Sequence, residues 1–208
     1  MATAGQMNPN KALWEKGDFT QIAYCMRESG SELVDSLGLT PEMRGLDLSC
    51  GDGTTALPKK KKGADVIGVD IAANLVAAGN TRAKEAGLAN LKFEEGDASN
   101  LENIGDNAFD LVVSIFGAMF APRPNEVASE MVRVTKPGGR IVIVDYHKPS
   151  LWHPMRLLMR LVFSRLEPFA MDLWRNELSA FFPEGIRLAA KKKSTFFGGL
   201  YQMLVIER

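Results

Sequence analysis

Little in this sequence ties it to an oxidising compartment, a polyanion or a bilayer interior. Its 208 residues include two cysteines, Cys25 and Cys50. Two are too few for a disulfide framework, and Cys50 sits in a glycine turn where a bridge would be awkward, so a reducing, cytoplasmic setting is expected. Neither sign of charge is in excess: 25 Lys and Arg balance 25 Asp and Glu. No global field therefore recruits nucleic acid or anionic lipid, and any partner has to be argued from a local patch. The first residues lack a basic stretch followed by an apolar one, and no uncharged apolar run reaches the ~18 residues of a membrane span, which reads as a soluble protein. The length suits a single domain, residues 1–208.

What is present centres on residues 44–56, Arg-Gly-Leu-Asp-Leu-Ser-Cys-Gly-Asp-Gly-Thr-Thr-Ala. Leu46, Leu48 and Cys50 alternate as a strand should. Gly51 and Gly53 then supply a turn where backbone can approach a ligand, and a helix N-terminus follows with its free N–H groups. Gly51-x-Gly53-x-x-Ala56 fits the dinucleotide fingerprint, so this stretch alone leaves open a nicotinamide cofactor or another adenosine-containing one. Asp47 shifts the balance. A carboxylate at the strand end repels a pyrophosphate but suits a ligand carrying an amino group and a sulfonium. The plainer reading is a strand–turn–helix junction in which Asp47 caps backbone N–H groups.

Taken in order, residues 1–10 are polar, and 11–37 carry an amphipathic pattern that predicts two helices. Trp14, Lys16 and Phe19 there either form a lid over the cofactor or pin the helices to the core. A helix from about Thr54 to Lys62 follows the glycine turn, with Pro58 tolerable only in its first turn. The runs Lys59–Lys62 and Lys191–Lys193 read as solvated faces, since neither has the interleaved aromatics of a nucleic-acid patch. Val66–Asp70 is a buried parallel strand ending on a carboxylate where a ribose clamp belongs, the plainer alternative being that Asp70 caps the helix over 72–86. A third strand over 91–97 ends in Gly96-Asp97-Ala98, an acid and a following N–H suited to adenine. A fourth covers 109–114, with the apolar loop 115–122 beyond its carboxyl end, the edge where ligands collect in an open sheet. A helix over 124–135, the turn 136–139 and a fifth strand over 140–146 complete a β-α-β-α-β-β-α-β order with short connections. Two glycines, Gly198 and Gly199, between apolar alternations predict a closing hairpin and an antiparallel last strand.

These residues resemble the S-adenosylmethionine-dependent methyltransferases of the seven-stranded, Rossmann-like class over nearly the whole chain. Asp47–Gly53 resembles the family's first motif, Val69-Asp70 its second, Gly96-Asp97-Ala98 its third, Phe109–Val112 its fourth, and Lys136-Pro137-Gly138-Gly139 the turn before its fifth strand. Five motifs in order are specific where any one is not. The resemblance implies an α/β fold: a doubly wound, mostly parallel seven-stranded sheet with an antiparallel C-terminal strand, N-terminal helices over 11–37 and a helical substrate cap over 147–184. It implies S-adenosylmethionine as cofactor, with Asp47, Ser49, Gly51 and Gly53 at the methionine end and Asp70 at the ribose. Ile71 would cover an adenine face, Asp97 and Ala98 would bind the adenine edge, and Ser114 would form the floor beneath the sulfonium. Ser49 stands where the family usually has glycine, and its hydroxymethyl group would crowd the methionine part. A narrower likeness, in Asp145–Pro154, Leu166–Trp174 and Phe197–Gln202, is to the methyltransferase-related proteins of rhodoquinone biosynthesis. Residues 11–139 are similar instead to generic methyltransferases of the kind likened to ubiquinone- and menaquinone-methylating enzymes.

A sulfonium methyl is already activated, so the protein has mainly to hold a nucleophile in line and exclude water, with no metal required. For a phenol-like acceptor a base would help, and His147 is the first candidate, with Tyr146 and His153 behind it; a loop hydrogen-bonder is the plainer role for such a histidine. Trp14, Phe19, Phe116, Trp152 and His153 are the candidate acceptor contacts. Residues 151–174 carry too many apolar side chains for one helix face. Bordered by Arg156, Arg160 and Arg165, they either lie at a membrane surface to admit a lipid-like acceptor, close the core, or form a dimer interface, leaving a monomer and a homodimer both open. A quinone-like or other apolar acceptor is expected rather than nucleic acid. The competing readings are a rhodoquinone-type quinone modification, an NAD-dependent oxidoreductase, and a cofactor-binding protein without turnover.

Overall fold

The computed structural model describes residues 8–88, 90–166, 168–184 and 189–208; the polar stretch 1–7 lies outside them. Two helices, α1 (Asn10–Trp14) and α2 (Thr20–Ser36), precede an alternation of β1 (Arg44–Leu48), α3 (Ala56–Lys61), β2 (Asp65–Asp70), α4 (Ala73–Glu85) and β3 (Lys92–Glu95). Then come β4 (Phe109–Ile115), α5 (Pro124–Val134), β5 (Thr135–Tyr146), α6 (Arg156–Leu166), α7 (Met171–Arg175), β6 (Ala189–Phe196) and β7 (Tyr201–Glu207). The strands form one seven-stranded sheet in the order β3-β2-β1-β4-β5-β7-β6. The first five run parallel, and β7 lies antiparallel between β5 and β6. A six-stranded dinucleotide fold has no such inserted antiparallel strand.

Both faces of the sheet are covered, so its central strands are apolar throughout. Leu46, Leu48, Val112, Ile141 and Ile143 turn to one face, beneath α5. That helix is buried through Val127, Ala128, Met131, Val132 and Val134, the spacing of a single apolar stripe. Leu111, Val113 and Val142 turn to the other face with Leu37 at the end of α2. The motif 136–139 falls inside β5 as a loop-out: Phe109 pairs with Thr135 but Leu111 with Arg140, and Gly138 takes φ +77. Pro58 is the third residue of α3, where no intrahelical N–H is lost.

Two features depart from the sequence reading. Lys59 is not on a solvated face: its side chain is fully buried against Asp47, whereas its neighbours Lys61 and Lys62 are exposed. Lys192 and Lys193 are exposed, as expected, but on the edge strand β6 rather than on a helix, a position where lysine blocks edge-to-edge pairing. Among the described residues, no helix is long and apolar enough to cross a membrane.

Candidate cofactor cleft and active site

A cleft of about 1050 Å³, including its open mouth, lies beyond the carboxyl ends of β1, β2 and β4, with α1 and α2 over it. One wall carries three carboxylates, Asp47, Asp70 and Asp97; the roof carries Trp14, Phe19, Ile22 and Met26. Ser49, Gly51, Ile71, Ala98 and Phe116 line it as well, so ten of the residues singled out in the sequence meet in one cavity.

Asp70 ends β2 and holds the glycine turn. Its Oδ2 accepts the Gly51 N–H at 2.8 Å and its Oδ1 the Ala72 N–H at 2.9 Å, so it serves both as cleft carboxylate and as local cap. Burial pushes its carboxyl above the ordinary aspartate range, against the pull of those two N–H groups. Asp97 is oriented by Ser99, whose N–H and hydroxyl both donate to Oδ1 at 2.8 Å. Asp47 is not a bare carboxylate facing the cleft. Lys59 Nζ lies 3.3 Å from its Oδ1, and the Thr55 hydroxyl donates to Oδ2 at 2.5 Å. Burial also raises the Cys50 thiol well above its usual pKa, leaving it a neutral wall group.

The turn has a second anchor that sequence reading missed. Asp52 is fully buried between two arginines, Arg27 of α2 and Arg82 of α4, each 2.9 Å from a carboxylate oxygen. Together with a Lys11–Glu95 ion pair and the Ala73 N–H donating to Glu15 Oε1 at 3.2 Å, this fastens the roof helices to the cofactor turn and to the strands beside it.

Ser49 occupies a left-handed conformation, φ +56, which explains why glycine suits this position. A Cβ on Gly117 would lie 2.4 Å from the Ser49 Cβ, so the two positions are coupled. Phe116, beside Gly117, is also left-handed at φ +48, a strained residue on the cleft wall. Ser49→Gly is expected to raise stability by about 1 kcal/mol through relief of this strain. Gly117→Ala should cost about 1–3 kcal/mol in the native background and less beside Ser49→Gly. Thermal melts of the four proteins measure both effects.

Other singled-out residues do not reach the cleft. Gly53 packs against the helix instead, where a Cβ would meet Leu57 at 2.3 Å and Phe93 at 2.5 Å. Ser114 is buried, and its hydroxyl accepts the Ala118 N–H at 3.2 Å. Tyr146 stacks behind the wall, its ring 5.6 Å from Phe116 and 5.3 Å from Phe120. The backbone of His147 donates to Leu200 O, and its Nδ1 lies 2.9 Å from Gly199 O, which draws the ring to the β6–β7 turn. His153 neighbours Gly198 at that same turn, and Trp152 is 94% exposed.

An acid-walled cleft at the carboxyl edge of a 3-2-1-4-5-7-6 sheet with β7 reversed defines a Rossmann-like domain of the class I methyltransferase architecture. Residues 46–143 match the family described as a methyltransferase domain. An uncharacterized protein of Mycobacterium tuberculosis is 38% identical over 138 residues, 66% of this chain and 50% of its own length. A demethylmenaquinone methyltransferase of Beutenbergia cavernae is 35% identical over 156 residues, 74% of this chain and 62% of its own. The chain spans about half the length of the curated relatives it matches. The crystal structure of a SAM-dependent methyltransferase from Aquifex aeolicus shares the fold at TM-score 0.60 and 16% identity, over 97% of this chain and 98% of that one. The sequence motifs lead one to expect S-adenosylmethionine in this cleft. The cleft fits it: Asp70 keeps lone pairs for hydroxyl donors after serving two N–H groups, and Gly51 offers a face with nothing within 4 Å of where a Cβ would stand.

Proposed function

We propose that this protein transfers the methyl group of S-adenosylmethionine to a small apolar acceptor of quinol or phenol type in the cytoplasm. The observation that carries this is the division of the cleft: carboxylates along one wall, and Trp14, Phe19, Ile22, Met26 and Phe116 around the remainder. Asp70 takes the ribose hydroxyls, Asp97 and the Ala98 N–H the adenine edge, and Asp47, Ser49 and Gly51 the methionine end. The helices over 11–37 act as the lid, and their aromatic residues confine the acceptor and keep water out. The bound cofactor supplies an electrophilic methyl group. The described lining offers carboxylates and a neutral thiol but no imidazole, so the proton a quinol hydroxyl gives up passes to a carboxylate or to water. Relatives named demethylmenaquinone methyltransferase, 35% identical, support the same acceptor class.

The test incubates the protein with methyl-labelled S-adenosylmethionine and reduced short-chain naphthoquinols, ubiquinols and simple phenols, followed by mass spectrometry. Label in a quinol or phenol is the expected result. An amino group gained by ubiquinone would favour the rhodoquinone-type reaction. Binding of NAD in preference to S-adenosylmethionine by calorimetry would overturn the reading, and cofactor binding without label transfer to any acceptor would leave a binding protein.

A further inference from the structure

We propose that the outward face of α6, with the 149–155 loop and the β6–β7 turn beside it, docks on an anionic lipid bilayer. The α6 helix has an inward stripe: Phe163 is buried, Met159 and Val162 pack on the core, and the Arg156 guanidinium donates to Pro149 O at 2.7 Å. Its opposite stripe should therefore be polar. It is leucine instead, with Leu157 77%, Leu158 51% and Leu161 59% exposed, and the loop before it presents Leu151 and Trp152. On a helix, Leu157 and Leu161 are successive neighbours at i and i+4. Arg160 and Arg165, both exposed, flank that pair on either side.

The second observation is charge. Between Asp145 and Glu167 the sequence holds Lys148, Arg156, Arg160 and Arg165 and no acid, although the whole chain is neutral. The acids that next follow Glu167 are engaged, Asp172 with Arg175 and Glu177 with Lys193. The β6–β7 turn extends the same surface: its Gly198 abuts His153 and its Gly199 faces Pro149, and Phe197 of that turn is 76% exposed. Exposed leucines flanked by arginines, with an aromatic at the tip, let the apolar groups enter the acyl boundary while the guanidinium groups stay with lipid phosphates. A second copy of this chain is the weaker occupant, because a twofold pairing of the stripe would bring arginine flanks against arginine flanks.

This surface deepens the apolar-acceptor reading. Phe163, on the inner side of α6, contacts Tyr146 with ring centroids 4.4 Å apart, and Tyr146 in turn contacts Phe116 on the cleft wall. A bilayer-seated helix thus stands one aromatic layer from the cleft, on the side from which a membrane-dissolved acceptor arrives.

The test uses co-sedimentation with sucrose-loaded vesicles of phosphatidylcholine alone or with phosphatidylglycerol added, in the absence of cofactor and acceptor. Strong retention on the phosphatidylglycerol vesicles, weakened by salt, is expected. Leu157→Glu with Leu161→Glu and, separately, Arg160→Glu with Arg165→Glu should each reduce retention by about tenfold or more. Both pairs are exposed, so melting temperatures should not change, and label transfer to a water-soluble acceptor on the same variants isolates failure of docking from failure of the reaction. Equal retention on the two vesicle types, or unchanged retention of both variants, would overturn the proposal. A dimer in size-exclusion chromatography that Leu157→Glu with Leu161→Glu dissociates, without vesicle binding by the parent protein, would overturn it in favour of a second copy.

Discussion

Lys59→Met should lower the free energy of unfolding by about 3–5 kcal/mol, the range for leaving one member of a buried ion pair alone. Lys59 is 0% exposed and Asp47 2%. Their atoms meet at 3.3 Å, and Thr55 joins the pair, its hydroxyl 3.3 Å from the ammonium and hydrogen-bonded to the carboxylate. Asp47→Asn in the Lys59→Met background should recover much of the loss, since it removes the stranded charge; a double-mutant cycle by chemical denaturation measures the coupling. If both variants cost less than about 1 kcal/mol, the pair behaves like an exposed one and the buried geometry is refuted. The dependence on pH has a definite sign. Burial pulls the Lys59 pKa down and Asp47 opposes it, leaving it below that of an exposed lysine. The folded state therefore binds this proton more weakly than the unfolded chain. The parent protein should gain stability relative to Lys59→Met as pH climbs from the lowered pKa toward that of an unfolded lysine. The substitution should also raise the preference for S-adenosylmethionine over S-adenosylhomocysteine. Those ligands differ by one positive charge, and Asp47, which lines the cleft, would no longer be neutralised.

Lys59 also marks where sequence reading stops. The succession of strands and helices, the reversed last strand and the glycine turn were legible because their signals are local: β-branched runs, the two-residue period and φ-permissive residues at fixed offsets. In Lys59–Lys62, by contrast, four identical side chains carry no period, and which one turns inward depends on where β1 delivers Asp47. Asp52 was invisible for the same reason. Its partners lie 25 and 30 residues away, on helices whose packing has to be known first. His147 illustrates the converse. It follows β5 at the ligand edge, as a base would, yet its hydrogen bonds to Leu200 and Gly199 commit it to the hairpin turn, and only the pairing of β5 with β7 reveals that.

Asp70→Ala should weaken S-adenosylmethionine binding by about 100-fold, or ~3 kcal/mol, the loss expected when two hydroxyl donors forfeit a charged acceptor in a low-dielectric cleft. The same carboxylate holds the Gly51 and Ala72 N–H groups, so a lower melting temperature is expected too and cannot by itself identify the role. The ligand supplies the discriminating arm. An S-adenosylhomocysteine analogue lacking the 2′-hydroxyl should bind the parent protein more weakly than the natural product does. It should bind Asp70→Ala no more weakly than the natural product does, because the lost partner is the same; calorimetry on the four pairs closes the cycle. Acidity provides an independent check. With its pKa raised by burial, Asp70 binds a proton more tightly in the folded protein than in the unfolded chain, so its ionised form costs the cofactor-free fold stability that returns as pH falls through the raised pKa. Hydroxyl donors favour the ionised form, and cofactor affinity should therefore decline over that same acid window in the parent protein but not in Asp70→Asn. Undiminished affinity in Asp70→Ala would remove the ribose clamp from this cleft and, with it, the orientation of the cofactor on which the proposed methyl transfer depends.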